Sequence, residues 1–412
     1  MNLLFLTLID FDSLQERNIY TDLLREFIKN KHEIYAISPV EKRNKIKTHI
    51  TKENHATILR LQIGNTQKTN VVEKGISTLM IEPTYKKAIK KYFHNVKFDL
   101  ILYSTPPITF VSAIEYVKKR DGAKTYLLLK DIFPQNAVDL GMMSTTGVQG
   151  LLYQHFRKKE KRLYAVSDRI GCMSQENVDY VIKHNPEVNP RKVEVCPNCV
   201  EVIDKSVDEK TRKQIRNKYG IPLDKKVFVY GGNLGKPQGI PFLIECLRNC
   251  SNMDDVFFLI VGDGTEYGLL DDYVHKSRQK NLKLMKSMLK EDYDNMVGAC
   301  DVGMIFLDHR FTIPNFPSRL LSYMQAKLPV LAVTDTNTDI GNVITGIDKN
   351  GNKIHEPFGW WCESDSIEAF TKCIGNIIKD ELREKGNIAY KYLEEQYNVS
   401  KQTEQILFHM IR

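Results

Sequence analysis

Val227-Phe228-Val229-Tyr230-Gly231-Gly232-Asn233-Leu234-Gly235-Lys236-Pro237-Gln238-Gly239, followed by an amphipathic run over 241–247, decides the fold. Apolar residues, then glycines, then helical spacing give the order strand, glycine loop, helix. Glycines let backbone approach a ligand closely, and the N–H groups and dipole of a helix start suit a phosphate. The spacing is not that of a P-loop, and the three-glycine dinucleotide fingerprint with its following acid is missing. Gly231, Gly232, Asn233, Gly235 and Gln238 are therefore candidate phosphate neighbours. The plainer reading is an ordinary Gly-Gly turn.

The alternation of apolar strands with amphipathic helices extends outward in both directions and occurs twice. Strands are expected at 227–230, 257–261, 282–285, 302–306 and 329–333, and in the first half at 3–8, 33–38, 100–103, 125–129 and 169–173, with a helix at 19–29. This is the pattern of α/β layers, here two Rossmann-like, doubly wound parallel sheets. A length of 412 residues fits two domains at about 150 residues each or somewhat more. The seam should fall in the charged stretch 203–219, giving domains at 1–203 and 204–387 with a final helix over 388–412. In such folds ligands sit beyond the carboxyl ends of the strands, here in a cleft between the sheets.

Two further turns of the second half carry chemistry. Gly262-Asp263-Gly264 follows Val261, either admitting a ligand or forming a tight turn capped by Asp263. Pro314-Asn315-Phe316-Pro317-Ser318-Arg319 leads into a helix at 320–326, and its proline, Ser318 and Arg319 make a second anion-ready helix start. Three such turns outline a pocket for a nucleotide diphosphate. In the first half, Lys130 and Asp131 stand where a strand gives out, which is costly unless the pair is solvated or used; a structural ion pair is the alternative. Arg17, beside Asn18 at the head of the first long helix, either binds an acceptor phosphate or caps its own helix.

Composition excludes several classes. With 42% hydrophobic and 27% charged residues the chain reads as globular, and its longest apolar runs fall far short of the roughly 20 residues of a membrane-spanning helix. The first residues lack the basic start and cleavage site of a signal peptide and read as a buried strand. The eight cysteines are scattered, with Cys196 and Cys199 the one CxxC; no second pair or histidine set suggests a metal, and free thiols fit a reducing cytosol. The net charge of +8 is uneven: residues 1–200 hold 31 Lys+Arg against 21 Asp+Glu, the remainder 28 against 30. Clusters at Lys86-Lys87, Lys90-Lys91, Lys118-Lys119-Arg120 and Arg157-Lys158-Lys159 could rest on anionic lipid, which implies a cytoplasmic protein peripheral to the membrane's inner face; solvated helix faces are the alternative. Basic and aromatic residues are not interleaved as in nucleic-acid-binding modules.

Taken together, LLLKDIFPQNAVDLGMM (127–143), the strand from Asp168 to Ser174, Cys196-Pro197-Asn198, the YGGNLG loop with Gln238-Gly239, VGDG (261–264) and FPSRLLSYMQAKLPVLA (316–332) resemble glycosyltransferase family 4 over nearly the whole chain. They most resemble its capsule and O-antigen N-acetyl-L-fucosaminyltransferase branch. The resemblance implies a GT-B fold, a retaining transfer without a metal or other cofactor, a UDP-sugar co-substrate held by the C-terminal domain, and a final helix returning to the first domain. It also implies donor contacts at Ser287, Met288, Leu289, Ser318 and Ser322, and an acceptor contact at Asn198 beside Arg17 and Asn18. The chain departs from the family: Pro314 and Ser322 stand where two glutamates are usual, Asn233 and Gln238 where arginine and lysine are, and Asp131 where a histidine is.

The expected mechanism has the departing diphosphate stabilised by Arg319, Ser318 and the 231–235 amides, with Asp131 and Lys130 brought to the anomeric centre by domain closure. The acceptor is expected to be a polyprenyl-diphosphate-linked saccharide at the membrane surface. A UDP-sugar epimerase of the same fold and a catalytically degenerate scaffold are the rival readings. Asp10-Phe11-Asp12 imitates the metal-binding DxD of the other glycosyltransferase fold but lies on the first strand, where that fold does not place it.

Overall fold

The computed structural model describes residues 1–66 and 71–411. The chain divides into two compact units, Met1–Glu201 with Asn398–Arg412, and Val202–Tyr397.

The first unit contains β1 (Asn2–Leu6), α1 (Ile19–Lys29), β2 (Glu33–Glu41), β3 (His49–Glu53), β4 (Ala56–Ile63), α2 (Val71–Tyr92), β5 (Leu100–Ser104), α3 (Val111–Asp121), β6 (Lys124–Leu129), α4 (Gln135–Asp139), α5 (Gly147–Val166), β7 (Arg169–Cys172), α6 (Gln175–His184) and β8 (Val193–Val195). Its sheet runs β3-β4-β2-β1-β5-β6-β7-β8, parallel except where β3 meets β4. The strands read as unbroken apolar runs because helices cover both faces. Along β1, Leu4 and Leu6 enter a core with Tyr85 of α2, Ile114 of α3 and Leu163 of α5, whereas Leu3 and Phe5 enter another with Leu24 of α1.

The second unit contains α7 (Glu209–Tyr219), β9 (Lys226–Asn233), α8 (Ile240–Asn249), β10 (Val256–Asp263), α9 (Tyr267–Ser277), β11 (Leu282–Met285), α10 (Lys290–Gly298), β12 (Val302–Phe306), α11 (Arg319–Gln325), β13 (Val330–Thr334), α12 (Ile340–Thr345), β14 (Gly359–Glu363), α13 (Ile367–Ile377) and α14 (Leu382–Gln396). All strands are parallel, in the order β11-β10-β9-β12-β13-β14. Sequence order therefore reverses beside β9, and a crevice opens at such a switch point.

Each unit has more strands than the five expected: eight and six among the described residues. Arg60 interrupts the apolar run of β4, β3 is an edge strand with exposed polar residues, and β8 has three residues. The single helix expected over 388–412 is two. α14 stops at Gln396, and Asn398 starts α15 (Val399–Ile411) by accepting the Ser400 N–H at 2.9 Å. Only α15 joins the first unit, where Val399 and Ile406 are buried beside α1, the Ser400 hydroxyl donates to Glu26 at 2.8 Å, and the Gln405 amide donates to the Val195 carbonyl at 2.8 Å.

Candidate functional site

In the second unit, parallel pairing sets Gly232 opposite Gly262 and Asn233 opposite Asp263, so both glycine turns leave the sheet at one level. The glycines serve the protein's own packing. A Cβ on Gly231 would collide with the Tyr293 hydroxyl, one on Gly262 with the Gly232 carbonyl, and one on Gly264 with the Leu234 carbonyl. The space expected for a ligand at these three positions is filled.

The amides are also engaged. Gly231 N–H donates to the Tyr323 hydroxyl at 3.3 Å, Leu234 N–H to the Asp263 carbonyl at 2.9 Å and Gly235 N–H to Gln238 Oε1 at 3.2 Å. Gln238 Oε1 further accepts from Asn233 Nδ2 at 2.8 Å, so the two residues standing in for the family's cations brace one another. Three of the loop's amides are thus taken by the protein's own acceptors.

One positive charge at this edge is Arg319, the first residue of α11. Its guanidinium carbon lies 4.2 Å from the centre of the Tyr230 ring, and a Cβ on Gly232, whose φ is +123°, would stand 3.3 Å from Nη2. Nη1 is shielded from solvent without a hydrogen-bond partner, and no carboxylate pairs with Arg319 among the described residues. Tyr323 is held by its hydroxyl, which donates to the Met304 carbonyl at 3.0 Å. A guanidinium packed among tyrosines, with a shielded, unused N–H and no counter-charge, suits an anion.

The other donor candidates divide. Asp263 accepts the Gly264 N–H at 2.9 Å, in keeping with the tight-turn alternative. Ser287, Met288 and Leu289 follow β11 at the same sheet edge, with Leu289 exposed. Ser318 is exposed and makes no cap bond to α11, and Ser322 lies half-buried on that helix. Pro317 only turns the chain into α11, its carbonyl accepting Leu320 N–H at 3.3 Å. The Asn315 carbonyl accepts from the Thr338 hydroxyl at 2.7 Å, and Phe316 is buried with its ring centre 6.3 Å from that of Tyr397, so these two hold the turn in place. Beside this loop a cleft of about 440 Å³ is lined by Lys236, Glu266, Asp308, His309 and Arg310.

In the first unit, Lys130 and Asp131 follow β6 directly but do not pair. Their backbone amides share the Thr105 hydroxyl as acceptor, at 2.9 and 3.2 Å. Lys130 Nζ turns inward to the Cys196 carbonyl at 3.1 Å, and burial lowers its pKa. It lines, with Asn198, a cavity of about 10 Å³, room for one water. Asp131 turns the other way, where Asn136 Nδ2 donates to both carboxylate oxygens at 2.8 and 2.7 Å. Burial pushes its pKa up to about 6, against the opposing pull of hydrogen bonds from the Ile132 backbone and Asn136.

Arg17 and Asn18 follow the structural alternative. Arg17 pairs with Glu201 at 3.1 Å and Asp22 at 3.4 Å. The Asn18 side chain accepts the Tyr20 and Thr21 N–H groups at 2.9 and 3.0 Å while Thr21 Oγ1 accepts from Asn18 N–H at 3.0 Å, a complete capping box. Asp10 and Asp12 pair with the buried Arg60 at 2.6 and 2.7 Å. Sequence reading missed Asn136, which stands within the quoted 127–143 segment, and the tyrosines around Arg319, of which Tyr293 carried no local signal.

This architecture, two parallel-sheet α/β units with glycine turns at the switch point of the second, is that of the GT-B fold, and the family match over the second unit makes the chain a glycosyltransferase. Residues 211–396, nearly all of the second unit, match the family model "Glycosyl transferases group 1". The chain is 22% identical over 333 residues to a probable glycosyltransferase, WbjE, of Pseudomonas aeruginosa, covering 80% of this chain and 78% of that one. It is 23% identical over 256 residues to WcaI of Escherichia coli, a putative colanic acid biosynthesis glycosyl transferase, covering 60% of each. Anabaena HepE, solved with UDP and glucose, superposes with a TM-score of 0.65 at 14% identity, covering 99% of this chain and 98% of that one.

Proposed function

We propose that the protein is a retaining glycosyltransferase of the fucosaminyltransferase-like branch, moving an N-acetylated 6-deoxy amino sugar such as N-acetylfucosamine from UDP to a polyprenyl-diphosphate-linked saccharide in capsule or surface-polysaccharide synthesis. The reaction takes place at the cytoplasmic face of the membrane and needs no metal. The observation that carries the donor reading is the unpaired Arg319 guanidinium beneath Gly232. As the bond from the anomeric carbon to the diphosphate oxygen breaks, the electron pair leaves with UDP, and Arg319 stabilises the charge that gathers there. Asp131, titrating at about 6, is mostly ionised at neutral pH and receives the acceptor hydroxyl's proton. HepE's complex with UDP and glucose supports the donor class, and the colanic acid assignment of WcaI supports a polysaccharide acceptor.

The test is mass spectrometry of the protein with a panel of UDP-N-acetyl sugars, with and without a lipid-diphosphate-linked monosaccharide, in EDTA. UDP release with one sugar gained by the acceptor supports the reading. Conversion of UDP-sugar without acceptor makes the protein an epimerase, and absence of turnover and donor binding makes it a scaffold. Arg319→Ala that turns over at the wild-type rate with saturating donor removes Arg319 from the mechanism.

A further inference from the structure

The connections of the second sheet sort its helices onto two faces. β9 leads through α8 to β10, and β10 through α9 to β11, one way along the sheet; β11 leads through α10 to β12, and β12 through α11 to β13, the other way. Right-handed crossovers then put α8 and α9 on one face and α10 and α11 on the opposite one. Tyr293, Arg319 and Tyr323 belong to α10 and α11. α13 packs on α8, and Leu243, Leu270 and Phe370 share one core beneath α8, α9 and α13.

On the face of α8 and α9 two clefts meet at Pro241. The first is the cleft of about 440 Å³ beside the glycine loop, and the second, of about 590 Å³, lies between α8 and α9. Each has the size of a small-molecule site, roughly 300–1,000 Å³. The first holds unmet polar groups. Ser364 is 2% exposed and its hydroxyl has no hydrogen-bond partner, and Glu266 Oε2 is likewise shielded and unpartnered. Burial raises the Glu266 pKa, against the pull of Lys236. Unpaired buried oxygens are costly, and ligand hydroxyls would satisfy both.

Charge is balanced in each cleft. Lys236 and Arg310 accompany Asp308 and Glu266 in the first, and Arg248 and Lys276 accompany Glu245 and Asp272 in the second. Arg310 meets Asp308 at 2.8 Å and Arg248 meets Glu245 at 2.7 Å. Such linings offer many donors and acceptors with little net charge, which matches neither a phosphate nor a cation. Each cleft also has a half-buried aromatic residue, Phe242 in the first and Tyr273 in the second. Tyr273 is fixed by donating to Gln279 Oε1 at 2.7 Å and by Arg248, 5.5 Å from its ring centre. Balanced polar groups beside an aromatic ring suit a sugar, whose hydroxyls bond and whose C–H face packs.

We propose that the two clefts form one groove that binds an uncharged oligosaccharide, on the face of the second sheet opposite to Arg319. Hydroxyls of one sugar meet Glu266 and Ser364, and a further unit lies along Tyr273. The inference does not rest on the donor and acceptor assigned above, since binding is read without UDP-sugar or lipid.

The test is isothermal titration of the full-length protein with chitotetraose, maltotetraose and cellotetraose. At least one is expected to bind with a Kd below about 1 mM. Glu266→Gln should weaken that binding at least about tenfold, and Tyr273→Ala at least about threefold, with thermal melts and UDP binding unchanged. Arg319→Ala should leave saccharide binding within about twofold of wild type, because its side chain lies on the other face. Absence of binding by all three saccharides, or full binding by both groove variants, overturns the groove. Saccharide binding that falls with Arg319→Ala places the sugar in the donor site, and displacement by inorganic phosphate assigns the cleft to an anion; either result also overturns it.

Discussion

The guanidinium of Arg319 is stacked on the ring of Tyr230, 4.2 Å from its centre, and the Tyr230 hydroxyl is anchored by donating to the Asn233 carbonyl at 2.8 Å. A carboxylate partner would cancel the charge, whereas an aromatic face positions it and leaves it available. Tyr230→Leu should therefore weaken UDP binding by roughly 5- to 30-fold, the equivalent of about 1–2 kcal/mol, and Tyr230→Phe should stay within about twofold. Isothermal titration with UDP measures both; a Leu variant that binds like wild type removes Tyr230 as the support of Arg319.

Gly231 exists for Tyr293. Gly231→Ala should destabilise the protein by about 2–4 kcal/mol through the clash with the Tyr293 hydroxyl. In the Tyr293→Ala background the same substitution should cost at least about 1 kcal/mol less. Denaturant unfolding of the four proteins gives the coupling, and additive costs would show that Gly231 answers to something else.

Asp131 gives the reaction a pH signature. With the group titrating at about 6 and needed as the carboxylate, kcat/KM should fall as pH drops through about 6. Asn136 donates to the ionised form, so Asn136→Ala should move the acid limb to higher pH. A limb that stays in place in this variant, or that is absent from wild type, detaches Asp131 from proton transfer.

The same group makes a statement about stability. Its folded pKa lies above the ordinary 3.8, so the folded chain holds a proton between pH 3.8 and about 6 that the unfolded chain has released. Stability from this group is full below pH 3.8 and is lost as pH rises through about 6. Asp131→Asn should accordingly stabilise the protein at pH 7, by up to about 3 kcal/mol, while abolishing most activity. Thermal melts at pH 7 and pH 4 check the sign, since the gain should shrink at the lower pH.

The sheets were legible because strands covered on both faces are unbroken apolar runs, as in β1 and β10. β4 was hidden by Arg60, whose charge is neutralised by Asp10 and Asp12 from a distant loop. The glycines of 231–264 were visible, but their reason was not: Tyr293 reaches Gly231 from a separate helix, and Gly262 is forced by strand pairing. Lys130 and Asp131 are adjacent in sequence yet turn to opposite sides of the strand end, so their proximity suggested a pair that does not form. Arg17 stood open between an acceptor phosphate and its own helix because Glu201, which closes on it, comes from far along the chain.

The placement of α15 bears on the order in which the protein can assemble during synthesis. Val399 and Ile406 complete the core around α1, yet the ribosome makes them about two hundred residues after β8. The second unit is continuous from Val202 to Tyr397 and can close while the nascent chain is still growing. The first unit, although begun earlier, waits with part of its apolar interior uncovered until that later segment arrives.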